Sequence, residues 1–273
     1  MLKRLNYMKW LKRIVILASV LYILLCTLVY FFQEKLIFHP DVLTKDMKFE
    51  FDGDYEEHNI KMDDGTFINS ILFKAKEFKG CVFYLHGNAG SLKRWGDIHE
   101  LYTSLGYDLF VFDYRGFGKS EGEITNEETF YKDLDKLYDF ILNKYNKDSI
   151  VIIGYSIGTG PASMLASKYQ PAHLILKAPY YNLTDRMHYQ YPFLPSFLLK
   201  YKFATNEFIT KVKCPVTVFH GEKDNIIYYG SSLKLKQHFK KEDQLISIPE
   251  FGHNGMNKNE VYIKGLEKIV SEL

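Results

Sequence analysis

The sequence predicts an α/β domain in which helices cover both faces of a mostly parallel, twisted sheet. Short and nearly continuous apolar segments recur along the chain, and segments with helical spacing of apolar side chains separate them. Strands that are buried on both faces have this continuous apolar pattern, and the alternation with helices is typical of parallel sheets. The roughly 240 residues after the N-terminal region suit one such domain.

The chain begins with a basic segment, residues 1–13, which precedes an uncharged apolar run, residues 14–32. As a helix, this run would be about 28 Å long, close to the thickness of the hydrocarbon core of a bilayer. A cleaved signal peptide is the alternative, but its apolar region would be shorter and small residues would follow it. Here Gln33-Glu34-Lys35 follows. We therefore predict one uncleaved transmembrane helix and a juxtamembrane segment at residues 33–54.

The distribution of charge predicts the orientation of this helix. Residues 1–35 contain six Lys or Arg residues and one Glu, a net charge of +5, whereas the whole chain carries +2. Residues 36–273 therefore carry 2 − 5, or −3. Basic flanks stay in the cytoplasm, so we expect the N-terminus there and the folded domain on the non-cytoplasmic side. Without a basic excess in the folded part, we expect no nucleic-acid partner.

The domain, residues 55–273, is predicted to open with a β-hairpin. Residues 55–62 and 66–74 have strand character and flank the turn Asp63-Asp64-Gly65. A capping box, Thr125 and Glu128, predicts the start of a later helix. The other predicted strands are residues 81–85, 108–112, 150–153, 173–177, 216–219 and 245–248, and the predicted helices are residues 91–105, 125–145, 161–168, 231–239 and 256–270.

The pentapeptide Gly154-Tyr155-Ser156-Ile157-Gly158 lies between a predicted strand and a predicted helix. In that context Gly-x-Ser-x-Gly predicts a nucleophile elbow, a sharp turn with the serine at its apex. Such a turn strains the backbone at Ser156 and requires small residues two positions before and after it, which Gly154 and Gly158 provide. The alternative interpretation is a glycine-rich turn in which the serine has no role.

Serine is a weak nucleophile that needs an adjacent base, and an acid must orient that base. Asp224 and His253 follow two predicted strands, and active-site residues gather at the carboxyl ends of strands in this architecture. We therefore predict the triad Ser156, Asp224 and His253. Glu222 and Asp243 are alternative acids, but Asp224 is preferred because a short loop places it just beyond its strand.

The predicted oxyanion hole consists of two backbone N–H groups, those of Ile157 and Asn88, with Gly87 as a neighbouring candidate. His86 lies in the same loop, where we expect it to pack rather than react. Arg115 either binds an anionic substrate or holds its own turn. For His220 we expect local hydrogen bonds that set the turn carrying Asp224. The cysteines lack metal-ligand spacing, so no metal or other cofactor is predicted, and Cys81 and Cys214 either pair or remain free thiols.

Taken together, residues 55–273 resemble serine hydrolases of the α/β-hydrolase superfamily. The apolar N-terminal run and the segment Tyr191-Pro192-Phe193-Leu194-Pro195 resemble a narrower membrane-tethered group, which includes lysophospholipid lipases and protein depalmitoylases. The resemblance implies hydrolysis of an ester or thioester. Its motifs are His86-Gly87-Asn88-Ala89-Gly90, Asp113-Tyr114-Arg115-Gly116-Phe117-Gly118, the serine pentapeptide, His220-Gly221-Glu222-Lys223-Asp224 and Gly252-His253-Asn254.

Residues 180–210 interrupt the alternation of strands and helices and are predicted to form a short aromatic lid. This lid either belongs to the core or forms an acyl pocket, with Tyr180, Tyr181, Phe193 and Phe197 as candidate substrate-binding residues. We expect a small or lipid-like acyl substrate that arrives from the membrane. Two other functions stay open: a serine peptidase, and an inactive membrane-tethered interaction protein. Protein partners cannot be predicted from the sequence.

Overall fold

The computed structural model describes the backbone of residues 2–273 and the side chains of residues 6–273. A single helix of 36 residues, α1 (Leu2–Ile37), comes first. Its segment Asn6–Ile37 is long and apolar enough to cross a membrane, and no residue of its apolar window is fully buried in the protein. The helix extends beyond the predicted run at residues 14–32 because lysine, arginine, glutamine and glutamate on both flanks are good helix formers.

Eight strands form the central sheet, in the spatial order β8-β7-β6-β5-β3-β4-β2-β1. The pairs β1–β2 and β2–β4 are antiparallel, and all the other neighbouring pairs are parallel. The mostly parallel sheet is thus confirmed. The strands are β1 (Tyr55–Lys61), β2 (Phe67–Phe73), β3 (Gly80–Leu85), β4 (Tyr107–Phe112), β5 (Ile150–Tyr155), β6 (His173–Lys177), β7 (Val216–Gly221) and β8 (Gln244–Ile248).

Helices cover both faces of this sheet, as predicted. Alternate side chains of β3 show the two layers: Phe83 packs with α4 and α5, whereas Tyr84 packs with α3 and α9. The helices are α2 (Leu92–Trp95), α3 (His99–Thr103), α4 (Glu127–Leu142), α5 (Thr159–Tyr169), α6 (Leu183–Gln190), α7 (Thr205–Ile209), α8 (Gly230–Lys236) and α9 (Glu260–Ser271).

Two predicted helices differ from the structure, one at its start and one by being divided. Asn126, not Thr125, caps α4 by accepting a 2.8 Å hydrogen bond from the N–H of Thr129. Glu128 makes no capping box and instead pairs with Lys132, one turn further along the helix. The helix predicted at residues 91–105 is divided into α2 and α3 by a 3₁₀ turn. Its first N–H groups are satisfied by a distant carboxylate, since the N–H of Leu92 donates to Asp113.

The juxtamembrane segment is built into the domain, as its apolar residues predict. Phe38 is buried in the core, and His39–Pro40 pair in parallel with Ala89–Gly90 next to the serine elbow. The thiols of Cys81 and Cys214 are free. The lid contains α6, a 3₁₀ turn at Ser196–Leu198 and α7, so it is an ordered element.

Candidate active site

The turn after β5 has the strained geometry that the pentapeptide predicts. Ser156 has a φ of 54°, a left-handed conformation that is uncommon for a residue with a side chain. A Cβ atom on Gly154 would lie 2.7 Å from the Cβ of Ala162, and one on Gly158 would meet the backbone of Leu85. Only glycine fits at both positions, so the close packing of β3, β5 and α5 requires this motif.

The three predicted triad residues are brought together at the carboxyl edge of the sheet. Nε2 of His253 lies 3.0 Å from Oγ of Ser156, and Nδ1 of the same ring lies 2.6 Å from Oδ2 of Asp224. All three side chains are buried, with between 6% and 7% of each exposed. A serine, an imidazole and a carboxylate in this order form the arrangement that activates a hydroxyl for attack on a carbonyl carbon.

Asp224 is held as an anion by several donors. Burial opposes its ionisation, but hydrogen bonds from His220 and His253 outweigh burial and hold the pKa of Asp224 well below its usual value. The backbone N–H groups of Ile226 and Ile227 each donate to Oδ1 at 2.8 Å. A carboxylate bound in this way keeps its charge and fixes the orientation of the His253 ring.

The two alternative acids lie elsewhere. Glu222 is exposed, and Asp243 accepts hydrogen bonds from the N–H of Val216 and from Lys240 on the amino side of β7. The expected local role of His220 is confirmed, because Nδ1 contacts Ser232 at 2.6 Å and Nε2 contacts the carbonyl of Ile227 at 2.9 Å.

The loop after β3 places Asn88 beside the elbow. Leu85 and Gly154 are paired neighbours at the ends of β3 and β5, so the residues that follow them meet at one edge. The Asn88 side-chain amide donates to the carbonyl of Ile37 at 2.7 Å. The backbone carbonyl of Asn88 accepts from the N–H of His39. Its own backbone N–H has no acceptor among the described residues, so it is available to an oxyanion.

His86 and Arg115 support this edge. His86 is fully buried, stacks on Trp95, and contacts the carbonyl of Gly87 through Nδ1; burial lowers its pKa to about 4. Arg115 makes a two-pronged ion pair with Asp133, so it holds its own turn. His86 thus packs as we expected, and of the two roles considered for Arg115 the ion pair supports the structural one.

The four candidate substrate-binding residues occupy different places. Tyr180 is buried beneath the elbow: its hydroxyl donates to the carbonyl of Ile157 at 2.9 Å and accepts from the N–H of Gly160 at 3.1 Å. This residue therefore braces the elbow and does not line an open pocket. Tyr181 contacts His238, and the rings of Phe193 and Phe197 are exposed on the outside of the lid.

One supporting residue of the site was missed by sequence reasoning. The hydroxyl of Tyr155 donates to the carbonyl of His253 at 3.0 Å and lies 3.2 Å from the side chain of Asn254. It therefore ties the residue before the serine to the loop that carries the histidine. Its place inside the Gly-x-Ser-x-Gly motif was visible in the sequence, but nothing there indicated its partner.

The sequence is similar to one protein-family model and to known hydrolase-domain proteins. Residues 80–189 match the family model described as alpha/beta hydrolase fold. Alpha/beta hydrolase domain-containing protein 17B of Homo sapiens is 29% identical over 200 residues, 71% of this chain and 67% of that protein. Lysophosphatidylserine lipase ABHD12 of Danio rerio is 32% identical over 177 residues, which cover 56% of this chain and only 46% of the lipase.

Solved structures share the fold at low sequence identity. An esterase of Pyrococcus furiosus superimposes with a TM-score of 0.64 at 19% identity, covering 86% of this chain and 96% of the esterase. An esterase of Exiguobacterium antarcticum gives a TM-score of 0.63 at 17% identity, covering 79% of this chain and 100% of that protein. These likenesses show the predicted fold.

Proposed function

We propose that this chain, which has the α/β-hydrolase fold, is a membrane-anchored serine hydrolase that cleaves carboxylic esters or thioesters with an apolar acyl chain. One observation carries this proposal: the hydrogen-bonded series Asp224–His253–Ser156, with the serine on a strained elbow. One of the similar proteins described above is a hydrolase-domain protein and another is a lysophosphatidylserine lipase. This similarity supports an acyl substrate.

In this mechanism, Oγ of Ser156 attacks the carbonyl carbon while Nε2 of His253 accepts its proton. Asp224 stabilises the imidazolium that forms, and the N–H groups of Ile157 and Asn88 stabilise the tetrahedral oxyanion. The bond to the leaving oxygen or sulfur then breaks as His253 returns the proton to that atom. Water repeats the sequence on the acyl-enzyme and releases the carboxylic acid.

The anchor in this proposal is α1, with its basic N-terminal flank in the cytoplasm and residues 38–273 on the other side of the membrane. The apolar length of the helix supports the anchor, and the charge difference across it supports this orientation. A reporter enzyme that works only after export, fused after Leu273, should be active. An inactive reporter, together with an active cytoplasmic reporter at the same place, would reverse the orientation.

The acyl preference is tested by a chain-length series of p-nitrophenyl esters and thioesters with the detergent-solubilised protein. Each buried methylene contributes about 0.8 kcal/mol, so kcat/KM should rise about fourfold per added carbon until the site is full. Phe193→Ala or Phe197→Ala should weaken this rise. Phe78→Ala is a matched control, because Phe78 is as exposed as Phe193 but precedes β3 at the opposite end of the sheet.

A preference for the acetyl ester that falls steadily with length would contradict the apolar acyl chain and favour a small ester or a peptide bond. Aminoacyl amides in the same panel test the peptidase alternative directly. Labelling of Ser156 by a fluorophosphonate tests whether the chain is catalytic at all, since an inactive interaction protein would not react.

A further inference from the structure

We infer that the lid tip, residues 191–199, lies within the hydrocarbon of the bilayer that α1 crosses, so that the acyl substrate reaches the serine from inside the leaflet. This inference rests on the proposed anchoring of α1. It goes further because it assigns a membrane-embedded surface to the folded domain itself. The contacts between the lid and α1 carry it.

The lid lies along one face of α1. The hydroxyl of Tyr22 donates to the carbonyl of Phe193 at 2.6 Å, the deepest of these contacts. Closer to the domain, Cys26 and Val29 pack against an apolar cluster of the lid. The positions 22, 26 and 29 recur with helical spacing, so they form a continuous stripe. The lid residues in this cluster are Met187, Leu194, Leu198 and Leu199.

Polar contacts mark where the stripe ends. Gln33 is buried, with 2% of it exposed, and its amide donates to the carbonyl of Leu198 and accepts from the N–H of Lys200, both at 2.9 Å. One residue further, Glu34 pairs with Lys200 at 3.0 Å. Charges of this kind belong at the membrane surface, so they place the end of the hydrocarbon close to Gln33.

The depth of the tip follows from helix geometry. Tyr22 and Gln33 are separated by 33 − 22, or 11, residues, which corresponds to about 16 Å along the helix axis. The uncharged run at residues 14–32 is only just long enough to cross the hydrocarbon, and Arg13 bounds its other end. The helix therefore cannot shift far enough along its axis to bring Phe193 out of the bilayer.

The composition of the lid tip suits this environment. Residues 191–199, Tyr-Pro-Phe-Leu-Pro-Ser-Phe-Leu-Leu, contain no charged side chain. Phe193 and Phe197 are 57% and 78% exposed, an unfavourable arrangement in water but a favourable one in lipid. Pro192 and Pro195 have no N–H group to satisfy.

Most of the remaining backbone donors of the tip bond within the lid, which is a requirement for peptide groups in hydrocarbon. The N–H of Tyr191 donates to the carbonyl of Met187. Likewise, the N–H of Leu194 donates to the carbonyl of Tyr191, and the N–H of Leu198 donates to the carbonyl of Pro195.

Two parts of the lid, near its first and second ends, contact the serine elbow and the start of α5. At the first end, the hydroxyl of Tyr180 bonds Ile157 and Gly160, directly after the serine. Near the second end, the backbone of Phe203 closely approaches Gly160. A Cβ atom on Gly160 would lie 2.7 Å from the carbonyl oxygen of Phe203. The lid thus links the proposed membrane-facing tip to the elbow that carries the nucleophile.

The test is the depth-dependent quenching of tryptophan fluorescence by brominated phosphatidylcholine, with the full chain reconstituted in vesicles. The parent for the series is Trp10→Phe, which leaves Trp95, 9% exposed inside the domain. Phe193→Trp and Phe197→Trp report on the lid tip. Leu17→Trp reports on α1, and Phe78→Trp is the control, since Phe78 is 58% exposed at the far end of the sheet.

We expect Phe193→Trp to be quenched by the brominated acyl chains at least half as strongly as Leu17→Trp, and Phe78→Trp no more than the parent. Phe197→Trp gives an independent reading from the other side of Pro195. Quenching of Leu17→Trp with none of either lid variant would overturn the inference and leave the anchor intact. Failure of Leu17→Trp to be quenched would overturn the anchor, and the inference with it.

Discussion

The carboxyl edge of the sheet and the lid are held in place by different means. At the edge, Ser156, Asp224 and His253 are buried and fixed by hydrogen bonds to backbone groups and to one another. The lid exposes Phe193 and Phe197, and its tip contacts α1. The proposed chemistry is thus built into the folded domain, whereas the lid tip, the proposed membrane-facing surface, depends on its contacts with α1.

This difference separates the effects that we expect of substitutions. Changes at the edge should reduce the turnover of every acyl substrate, because they act on the reacting groups. Changes in the lid should depend on acyl length and on the presence of a membrane. Tyr180 lies within the lid sequence, but its hydroxyl contacts the serine elbow. A substitution there therefore tests whether this residue acts with the lid or with the carboxyl edge.

The largest effect is expected for Ser156→Ala, which removes the nucleophile with little change in volume. Turnover of acetyl and long-chain esters should both fall, by about 10⁴-fold or more, and His253→Ala should cost about as much because the triad acts as a unit. Steady-state hydrolysis and fluorophosphonate labelling measure this loss. Ser167→Ala is the control, since Ser167 lies on α5, the helix that follows the elbow, and its hydroxyl donates to the carbonyl of Met164. The activity of this variant should stay within about threefold of the parent. Retained hydrolysis by Ser156→Ala would contradict the proposal that Ser156 is the nucleophile.

The choice of acid is tested next. Asp224→Asn should keep the geometry but favour the wrong tautomer of His253, with a loss of kcat of about 10³- to 10⁴-fold. Glu222→Gln and Asp243→Asn should stay within about threefold, because neither contacts His253. Measurement of kcat for the three variants with one ester decides between the acids. Near-normal turnover by Asp224→Asn would contradict the assignment.

Tyr180→Phe is expected to have an intermediate effect. The change removes the hydroxyl that contacts Ile157 and Gly160, so the elbow should loosen and kcat should fall about tenfold. The loss should be equal for acetyl and long acyl esters, because the residue acts on the elbow. A loss that grows with acyl length would instead make Tyr180 part of the acyl pocket. Tyr181→Phe is the matched control, since its hydroxyl contacts His238 away from the elbow.

The same division describes what could be predicted from the sequence. Strands buried on both faces have an unbroken apolar pattern, so their positions were predicted to within about two residues, and residues 173–177 were predicted without error. The residues of the site follow strand ends, so their meeting at one edge could be predicted as well. What they do chemically stays a prediction until the variants are measured.

The remaining features depend on contacts between distant parts of the chain. An aromatic count shows that residues 180–210 are apolar but not which face each ring presents, so Tyr180 was expected in a pocket and lies beneath the elbow. The helix after β3 is divided near Gly96, where the ring of Phe51 leaves no room for a side chain. At α4, Thr125 and Asn126 are both good caps, and local pattern alone could not choose between them.

The smallest effect concerns acid stability, and it also separates the two regions. Burial lowers the pKa of His86 at the carboxyl edge, and of His173 at the amino end of β6, from 6.5 to about 4. Between pH 6.5 and 4 the unfolded chain therefore binds protons that the folded chain does not bind. The free energy of unfolding should then fall as the pH is lowered, by up to about 1.4 kcal/mol per pH unit for each histidine.

His173→Gln can keep the contact with Thr217 but removes one titrating group, so the slope should decrease by about one proton. Gln190→Ala in the lid is the control, because it removes an exposed side chain that does not titrate and should leave the slope unchanged. Urea unfolding of the full chain in detergent, followed by circular dichroism between pH 4 and 7, measures both slopes. A slope for His173→Gln equal to that of the parent and of Gln190→Ala would contradict the assignment of this acid sensitivity to His173.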